Sequence, residues 1–290
     1  MINQDKLIRS KLNDIQQGAE FDGKHNLDIG WNTLSFHMHP HYEFYLFIRG
    51  KVQIILEDES FDAHPMDLFI FPPGILHRAN VLDTAIPYER AYFYITRNYL
   101  SELSKDRFDL LQVLDNATLR GDYSYHADPD SSAHFIRLMD EFISEAEHQD
   151  PISCMMNRCR MNMLSLLSCS IIQHKDVLVP RPPDRVSEII RYINEHIQEP
   201  LSLDSLSERF YLSKYTLLHE FKSYTNISVH QYILSKRIQQ AQLLMQRGTS
   251  PGNAAKMSGF NDYAGFYRAF VRNNNGLTPQ DYYTRIRQGR

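Results

Sequence analysis

Residues 201–232 read LSLDSLSERFYLSKYTLLHEFKSYTNISVHQY, and residues 250–282 repeat their pattern as SPGNAAKMSGFNDYAGFYRAFVRNNNGLTPQDY. The two copies correspond at an offset of 49 residues, which becomes 50 after one inserted residue. The matched positions are Ser213, Leu217, Phe221, Asn226 and Tyr232 in the first copy and Asp262, Phe266, Phe270, Gly276 and Tyr282 in the second. Self-similarity of this kind indicates one supersecondary unit that is built twice.

The first copy predicts a short helix, a tight turn and a second helix. We expect Asp204 to cap a helix over residues 205–211, since a carboxylate satisfies free N–H groups at a helix start. Ser213 is suited to cap the next helix in the same way. Leu217 and Phe221 in that helix recur at the spacing of one buried face.

The second copy carries the same signals in different residues. Pro251 suits a helix start, where its missing N–H group has no partner to lose. Gly259 stands where the turn needs a positive φ, and Asp262 is suited to cap the helix that follows. Both copies therefore predict a helix-turn-helix, the form that places a helix in a DNA major groove.

The last hundred or so residues resemble the DNA-binding region of the AraC family of transcription regulators. The motif elements that carry the resemblance are Ser213, Leu217, Phe221 and Lys222, then Arg237, Ala241 and Leu244, then Gly259, Phe260, Asp262, Phe266, Arg268 and Phe270, and then Gly276, Thr278, Pro279 and Tyr282. Asn226 replaces the usual glycine, but Asn also tolerates the left-handed region. The long segment 228–247 would then be the rigid helix that sets the spacing of the two recognition helices.

The resemblance implies DNA contacts on the second helix of each repeat. These positions are Lys214, Tyr215, Leu218, His219 and Lys222 in the first repeat and Tyr263, Ala264, Gly265, Tyr267, Arg268 and Arg272 in the second. Arg268 is the best candidate to bind a guanine, because its guanidinium can pair with O6 and N7 together. Lys214, Lys222 and Arg272 are suited to phosphates. For any single cation the alternative is a solvated helix face.

Composition is typical of a globular protein that works in a reducing compartment. The 290 residues are enough for two domains, and 42% hydrophobic with 23% charged residues is ordinary. No apolar run approaches the roughly 18 residues of a membrane span and no signal peptide opens the chain, so we expect a cytoplasmic location and no membrane partner. Three cysteines, Cys154, Cys159 and Cys169, do not make a disulfide framework.

The net charge of −4 hides an asymmetry between the two ends of the chain. From Arg185 onward there are 14 Lys and Arg against 8 Asp and Glu, whereas the preceding residues hold 17 against 27. The C-terminal part is therefore basic and the rest is acidic. This distribution fits a DNA-binding domain carried by a body that does not bind DNA.

Residues 26–95 show a period of two, with turn residues between short runs. The predicted strands cover residues 33–39, 43–49, 52–57, 68–71, 77–81 and 89–95. They are rich in β-branched and aromatic residues, and six short strands at close spacing favour a small barrel or jelly roll. Residues 1–17 predict a short amphipathic helix that precedes them.

Two short segments of this region resemble the cupin motifs. HMHPHYE at 37–43 is similar to the first motif and PPGILH at 72–77 to the second, although Met66 stands where a glycine is usual. The AraC family commonly carries a cupin domain as its sensor. In cupin enzymes the matching positions bind a metal, here His37, His39, Glu43 and His77, and such donors suit Fe, Mn, Ni, Zn or Cu. In regulators they often line an effector pocket or pack the barrel, so we expect no resident cofactor and keep a divalent metal as the alternative.

Polar side chains alternate with apolar ones along the predicted strands 43–49 and 89–95, which places them on one face. The candidate effector-binding residues are His37, His39, Glu43, Tyr45, Arg49, His77, Arg90 and Tyr92, with Tyr88, Tyr94 and Trp31 nearby. A pocket of this kind suits a sugar or a small acid. The alternative is that these tyrosines belong to the core or the rim of the barrel.

Helical periodicity follows the barrel region. The predicted helices cover residues 98–114, 131–147 and 152–173. The last is apolar over much of its surface; the resemblance implies a dimer contact there, with packing inside the domain as the alternative. Residues 179–183 read VPRPP, which favours an extended spacer. The predicted domains are an effector-binding and dimerisation domain over 1–175, a linker over 176–184 and a DNA-binding domain over 185–290.

The predicted fold is therefore α+β with two domains, a cupin-like β-barrel with flanking helices and an all-α domain with two helix-turn-helix units. The predicted function is transcription regulation in response to a small effector, without enzymatic activity. The expected partners are double-stranded DNA, the effector, a second copy of the chain and RNA polymerase. A cupin metalloenzyme would leave the duplicated helix-turn-helix unexplained, and a constitutive architectural DNA binder would leave the barrel pocket without a purpose.

Overall fold

The chain folds into a sheet-rich unit and a helical unit. The computed structural model describes residues 19–30, 36–104, 108–146, 148, 150–174, 176–181, 184–274 and 276–288. The two units fall within residues 1–182 and 183–290. The helix predicted over residues 1–17 and the side chain of Trp31 lie outside the described residues. Among the described helices, none combines the length and the apolar character needed to cross a membrane.

Eight strands form the described part of the sheet-rich unit. They are β1 (Phe21–Asp28), β2 (Tyr42–Arg49), β3 (Val52–Leu56), β4 (Glu59–Asp62), β5 (Asp67–Phe71), β6 (His77–Val81), β7 (Tyr88–Ile95) and β8 (Ser124–His126). One sheet has the order β1-β7-β2-β5-β8 and the other the order β4-β3-β6, and all pairs are antiparallel. The strands β1, β4 and β8 were not predicted. The strand predicted over residues 33–39 is wrong in its described part, 36–39, where His37 makes only an isolated bridge.

The five-stranded sheet has a core on each of its faces. Its inner face contributes Tyr45, Phe69 and Tyr88 to a cluster that also holds Ile54 and Phe61 of the three-stranded sheet. Its outer face packs against the helices that follow the strands. These two cores are the physical basis of the predicted cupin-like barrel with flanking helices, and that prediction is confirmed.

Among the described residues of this unit, four helices cover the outer face. They are α1 (Arg97–Leu103), α2 (Leu110–Arg120), α3 (Pro129–Ser144) and α4 (Pro151–His174). The single helix predicted over residues 98–114 is wrong, because the chain forms α1 and α2 instead. Asp109 starts α2 by accepting a hydrogen bond from the backbone N–H of Gln112 at 3.0 Å, as an N-cap does.

Residues 176–181, which belong to the predicted linker, are bound to the edges of both sheets. The backbone N–H of Leu178 donates to the carbonyl of Ser124 in β8 at 3.1 Å, and that of Arg181 donates to the carbonyl of Ser60 in β4 at 2.7 Å. The guanidinium of Arg181 forms an ion pair with Asp62. Leu178 packs against the inner core. The segment therefore joins the two sheets along their open side.

Seven helices make up the described part of the helical unit. They are α5 (Arg185–Glu195), α6 (Leu203–Arg209), α7 (Lys214–Thr225), α8 (Val229–Gln246), α9 (Pro251–Met257), α10 (Tyr263–Asn273) and α11 (Pro279–Gln288). The pairs α6–α7 and α9–α10 are the two helix-turn-helix units, so the predicted all-α domain is confirmed. At 18 residues, the connecting helix α8 is roughly 27 Å long.

The helix starts agree with the predictions from the sequence at three positions and differ from them at one. Ser213 and Asp262 cap α7 and α10, and Pro251 occupies the first turn of α9. The predicted cap by Asp204 is wrong, because Ser202 caps α6 and exchanges hydrogen bonds with Ser205 in a capping box. Asp204 lies in the first turn, where a carboxylate still interacts favourably with the helix dipole.

A close backbone approach joins the second repeat to the chain that follows α5. Gly259 has a φ of 89°, and a Cβ atom there would lie 2.6 Å from the carbonyl oxygen of Ile197. Arg237 of α8 donates to that same carbonyl at 2.9 Å and to the carbonyl of Glu199 at 2.7 Å. Only glycine fits at this position, because both the conformation and the space exclude a side chain.

Gly259→Ala should destabilise the helical unit more than Gly248→Ala. Gly248 has a similar φ of 97° but nothing within 4 Å of its added Cβ, so its substitution costs only about 1–2 kcal/mol of conformational strain. Gly259→Ala adds a backbone clash, which typically costs a further 1–3 kcal/mol. Urea unfolding of both full-length variants would measure the difference. Equal midpoints would mean that the approach to Ile197 relaxes without penalty.

Candidate effector site and nucleic-acid interface

Strand pairing gathers three histidines and a glutamate at one end of the barrel. His37 and His77 form an isolated antiparallel bridge, with N···O distances of 3.1 and 3.0 Å between their main chains. Glu43 lies near the start of β2, and His39 shortly precedes that strand. One ligand atom from each of the four lies within 4.8 Å of the other three. His39, Glu43 and His77 are buried, and His37 is half-buried.

Hydrogen bonds fix the orientation of two of these rings. The Nε2 atoms of His39 and His77 lie 2.9 and 3.2 Å from the same oxygen of Glu43, Oε2. Their Nδ1 atoms lie 3.0 Å from the carbonyl oxygen of His41 and 2.8 Å from that of Ile75. The ring of Phe71 stacks on that of His77 with centroids 4.1 Å apart. The cluster is therefore held by packing as well as by polar contacts.

The environment keeps the glutamate ionised. Burial alone would raise the pKa of Glu43, but hydrogen bonds and charge from His39 and His77 outweigh burial and lower it to about 2. Burial lowers the pKa of His77, against the opposing effect of Glu43. Burial and neighbouring His39 lower the pKa of His41 to about 4. The cluster thus presents a carboxylate that can accept from hydroxyl groups or bind a cation.

An arginine and two tyrosines line the same inner face farther along the strands. The hydroxyl groups of Tyr45 and Tyr88 hydrogen-bond to each other, and Arg90 forms an ion pair with Asp28 of β1. The Cζ atom of Arg90 lies 4.4 Å from the centroid of the Tyr88 ring, a cation–π contact. Burial is the main cause that raises the pKa of Tyr88 to about 12. These side chains can form hydrogen bonds with a ligand, and they carry little net charge because Arg90 is paired with Asp28.

Two further tyrosines connect these side chains with the histidines. The ring of Tyr94 meets that of His39 edge-on at 5.1 Å, and Asn26 donates to the hydroxyl of Tyr92 at 3.4 Å. Burial raises the pKa of Tyr92 to about 12 and that of Tyr94 well above its ordinary value. Both phenols are therefore protonated near neutral pH, and each can donate and accept, as a hydroxyl-rich ligand requires.

Arg49 is the candidate effector residue that does not join this set. Its guanidinium contacts Glu89 at 2.6 Å, and its side chain is 54% exposed. The alternation that predicts an inward Arg49 breaks at a register shift between Phe47 and Arg49 in the β2–β7 pair. Asn26 and Asp28 are residues that the sequence analysis missed. The polar side chains at alternate positions 24, 26 and 28 were the available signal for a strand that faces a polar interior.

The second helix of each repeat buries one side and exposes the other. Leu217 and Phe221 of α7 are fully buried, as are Phe266 and Phe270 of α10. The predicted DNA-contacting positions lie away from these buried sides. Lys214, Tyr215, Leu218, His219, Lys222, Tyr263, Ala264, Tyr267, Arg268 and Arg272 are exposed, and Gly265 is half-buried. The rings of Tyr215 and His219 stack with centroids 6.0 Å apart.

The cations on these helices differ in their partners. Lys214 forms an ion pair with Asp204 of the preceding helix. Within the described ranges, no carboxylate pairs with Lys222, Arg268 or Arg272. Three cations are therefore available to an external anion, whereas Lys214 would have to exchange Asp204 for it.

Tyr211 is a candidate that the sequence analysis missed. It is 96% exposed and has a φ of 53°, in the turn between α6 and α7. Gly259 holds a positive φ in the matching turn of the second repeat. Tyr211 stands two residues before Ser213, the cap of α7, and an exposed phenol at this point can donate to a phosphate. At the offset of 49 residues Tyr211 corresponds to Phe260 and not to Gly259, so the repeat in the sequence carried no signal for this conformation.

Comparison with known families supports both halves of this arrangement. The profile described as AraC-like ligand binding domain matches residues 19–155, and the profile described as Helix-turn-helix domain matches residues 206–287. A sensor domain followed by a duplicated helix-turn-helix defines a DNA-binding transcription regulator with a ligand-binding domain. The chain belongs to the AraC family of these regulators, so the predicted family is confirmed.

Individual relatives are similar over most of the chain. The HTH-type transcriptional regulator YbfI of Bacillus subtilis is 27% identical over 232 residues, which cover 78% of each chain. The arabinose operon regulatory protein of Salmonella typhimurium is 26% identical over 240 residues, 82% of this chain and 81% of its own. Among solved structures, ToxT from Vibrio cholerae superposes loosely, with a TM-score of 0.36 and 14% identity over 92% of this chain and 98% of its own.

Asp262→Ala should weaken the start of the second recognition helix. The carboxylate of Asp262 accepts from the backbone N–H of Gly265 at 2.7 Å, and removal of such a cap typically costs about 1 kcal/mol. Ser250→Ala is the matched control, because Ser250 begins α9 without a side-chain cap hydrogen bond. Chemical unfolding of the two variants should give a lower midpoint for Asp262→Ala alone. Equal midpoints would exclude a stabilising role for this cap.

Proposed function

We propose that the chain is a regulator that binds specific double-stranded DNA through both recognition helices and changes its DNA affinity when a small polar effector enters the barrel. The observation that supports DNA reading most directly is the exposed cationic side of α10, where Arg268 and Arg272 have no carboxylate partner among the described residues. A guanidinium on an exposed recognition helix can pair with guanine in two places at once. Such a protein works where the DNA is, in the cytoplasm.

For the effector we propose a neutral, hydroxyl-rich molecule such as a sugar. The protonated phenols of Tyr92 and Tyr94 and the carboxylate of Glu43 suit hydroxyl groups, which both donate and accept. The buried carboxylate disfavours an acidic ligand at the same end. Similarity to an arabinose operon regulatory protein supports the same class.

For the assembly we propose a homodimer that forms through α4, with RNA polymerase as the further protein partner. One side of α4 leaves large apolar side chains exposed, namely Ile152, Met155, Met156, Met163 and Leu166. An exposed apolar patch of this kind is typical of a protein contact surface. Because a symmetric dimer uses the same surface twice, a second copy of the chain can cover it. A homodimer on DNA requires two chains per duplex, a stoichiometry that light scattering can measure.

Arg268→Ala should lower affinity for a specific duplex and leave affinity for random DNA nearly unchanged. The specific duplex would be selected from a random library with the wild-type protein. Loss of a guanine contact costs about 1–3 kcal/mol, and it relaxes the preference at one base pair. Lys222→Ala is the control, because loss of a phosphate contact lowers the affinity for both DNAs. It also reduces the slope of log affinity against log salt concentration by about one. If Arg268→Ala weakened both DNAs equally, Arg268 would not read a base.

A thermal-shift screen of the full-length chain against sugars and small acids should identify the effector. A ligand at a hundred times its Kd adds about 2.7 kcal/mol of stability, which raises Tm by a few degrees in a chain of this size. Tyr92→Phe should reduce the shift, because it removes one hydroxyl and keeps the ring. Arg49→Gln should keep the shift, since Arg49 contacts Glu89 outside the cluster. Loss of the shift in Arg49→Gln but not in Tyr92→Phe would place the effector elsewhere.

A further inference from the structure

While both rings are neutral, the hydrogen atoms of the histidine–glutamate cluster cannot satisfy all its contacts. Nδ1 of His39 faces the carbonyl of His41, and Nδ1 of His77 faces the carbonyl of Ile75. A carbonyl oxygen only accepts hydrogen bonds, so Nδ1 carries the hydrogen in both rings. A neutral imidazole has a single N–H group. The Nε2 atom of each ring is then left with a lone pair.

These lone pairs converge on the carboxylate. Oε2 of Glu43 lies 2.9 Å from Nε2 of His39 and 3.2 Å from Nε2 of His77, and a carboxylate oxygen is itself only an acceptor. The alternative of two cationic rings would place two positive charges 5.0 Å apart, by ring centroids, at side chains no more than 4% exposed. One carboxylate would have to balance both. A positive ion shared by the three groups removes the conflict.

The donor set defines the class of ion. Three imidazoles and one carboxylate, without a thiolate, suit divalent first-row transition metals. Mg²⁺ and Ca²⁺ prefer oxygen ligands and fit poorly. The backbone carbonyls that orient Nδ1 of His39 and His77 are the outer contacts that metal-binding histidines usually make. Stacking of Phe71 on His77 holds that ring in place without the ion.

We propose that His37, His39, Glu43 and His77 bind a divalent transition-metal ion and that this ion sets the DNA affinity of the regulator. The regulatory half of the proposal rests on the proposed function, whereas metal binding by itself does not. The ion would join β2 of the five-stranded sheet, and the segment before it, to the first residue of β6 in the three-stranded sheet. Glu43 belongs to β2, His37 and His39 precede that strand, and His77 begins β6. A change in occupancy would thus alter how firmly the two sheets are joined at this end.

The first experiment titrates Co²⁺ into the full-length chain after treatment with chelator and removal of the chelator. We expect one Co²⁺ per chain, a visible absorption band and a Tm raised by a few degrees, with no response to Mg²⁺. Glu43→Gln and His77→Gln should weaken Co²⁺ binding by more than about 100-fold. His64→Gln is the matched control, because the His64 side chain is 72% exposed and outside the cluster. It should bind Co²⁺ like the wild type.

A further variant, His37→Gln, distinguishes loss of a metal ligand from misfolding. His37 is half-buried, so His37→Gln should keep the metal-free Tm of the wild type and still lose at least about tenfold in Co²⁺ affinity. Co²⁺ binding by the wild type that is no tighter than binding by His37→Gln and His77→Gln would overturn the metal site.

The regulatory half is tested with the selected DNA duplex. Kd for that duplex should differ at least fivefold between the Co²⁺-loaded and chelator-treated wild type, and this difference should vanish in His37→Gln. Stoichiometric Co²⁺ binding with an unchanged Kd for the duplex would overturn metal control of DNA binding. It would leave the proposed function as a DNA-binding regulator unaffected. A sugar that changes Kd in the presence of chelator, with no Co²⁺ binding, would overturn the metal proposal alone. Absence of any sequence-specific DNA binding would instead remove the proposed function.

Discussion

Alternation of side chains across the five-stranded sheet is the constraint on which the sensor unit depends. Successive residues of a strand point to opposite faces, so β2 directs Tyr45 into the inner core and Phe44 and Leu46 into the core shared with the helices. The same strand supplies Glu43 to the polar cluster. A strand that moves to accommodate a ligand must therefore also move the side chains that pack against α3 and α4. The ligand site and the helix packing therefore use opposite faces of the same strands.

The helical unit depends on a different constraint, the close approach of backbone segments around Arg237. This residue lies on α8, which connects the repeats, and its guanidinium binds the carbonyls that follow α5. The turn of the second repeat fits against the same segment because Gly259 has no side chain. The segment that leads into the first repeat, the connecting helix and the second repeat are thus held by shared contacts. Rigidity of this kind fixes the spacing at which two grooves can be read.

The sequence predicts best what depends on local chemistry. Ser213 and Asp262 were identified as helix caps because their side chains act on N–H groups within the next turn. Sequence alone did not separate Ser202 from Asp204 as the cap of α6, since both side chains can accept the same bonds. Arg49 was misjudged because a register shift in β2 is a property of strand pairing, which one strand does not encode. His37, His39, Glu43 and His77 were grouped only through a motif resemblance; their spacing does not reveal that two sheets bring them together.

The binding of residues 176–181 along both sheets has a consequence for how the molecule can be divided. Their proline-rich surroundings predict a spacer, yet Leu178 and Arg181 are part of the sensor's own structure. Only residues 182–184 lie between Arg181 and α5, a contour of about 10–14 Å. A chimera that fuses this sensor to another DNA-binding domain would have to be cut after Arg181. A cut at residue 175 would strip β4 and β8 of their covering segment and leave two sheet edges open to other chains.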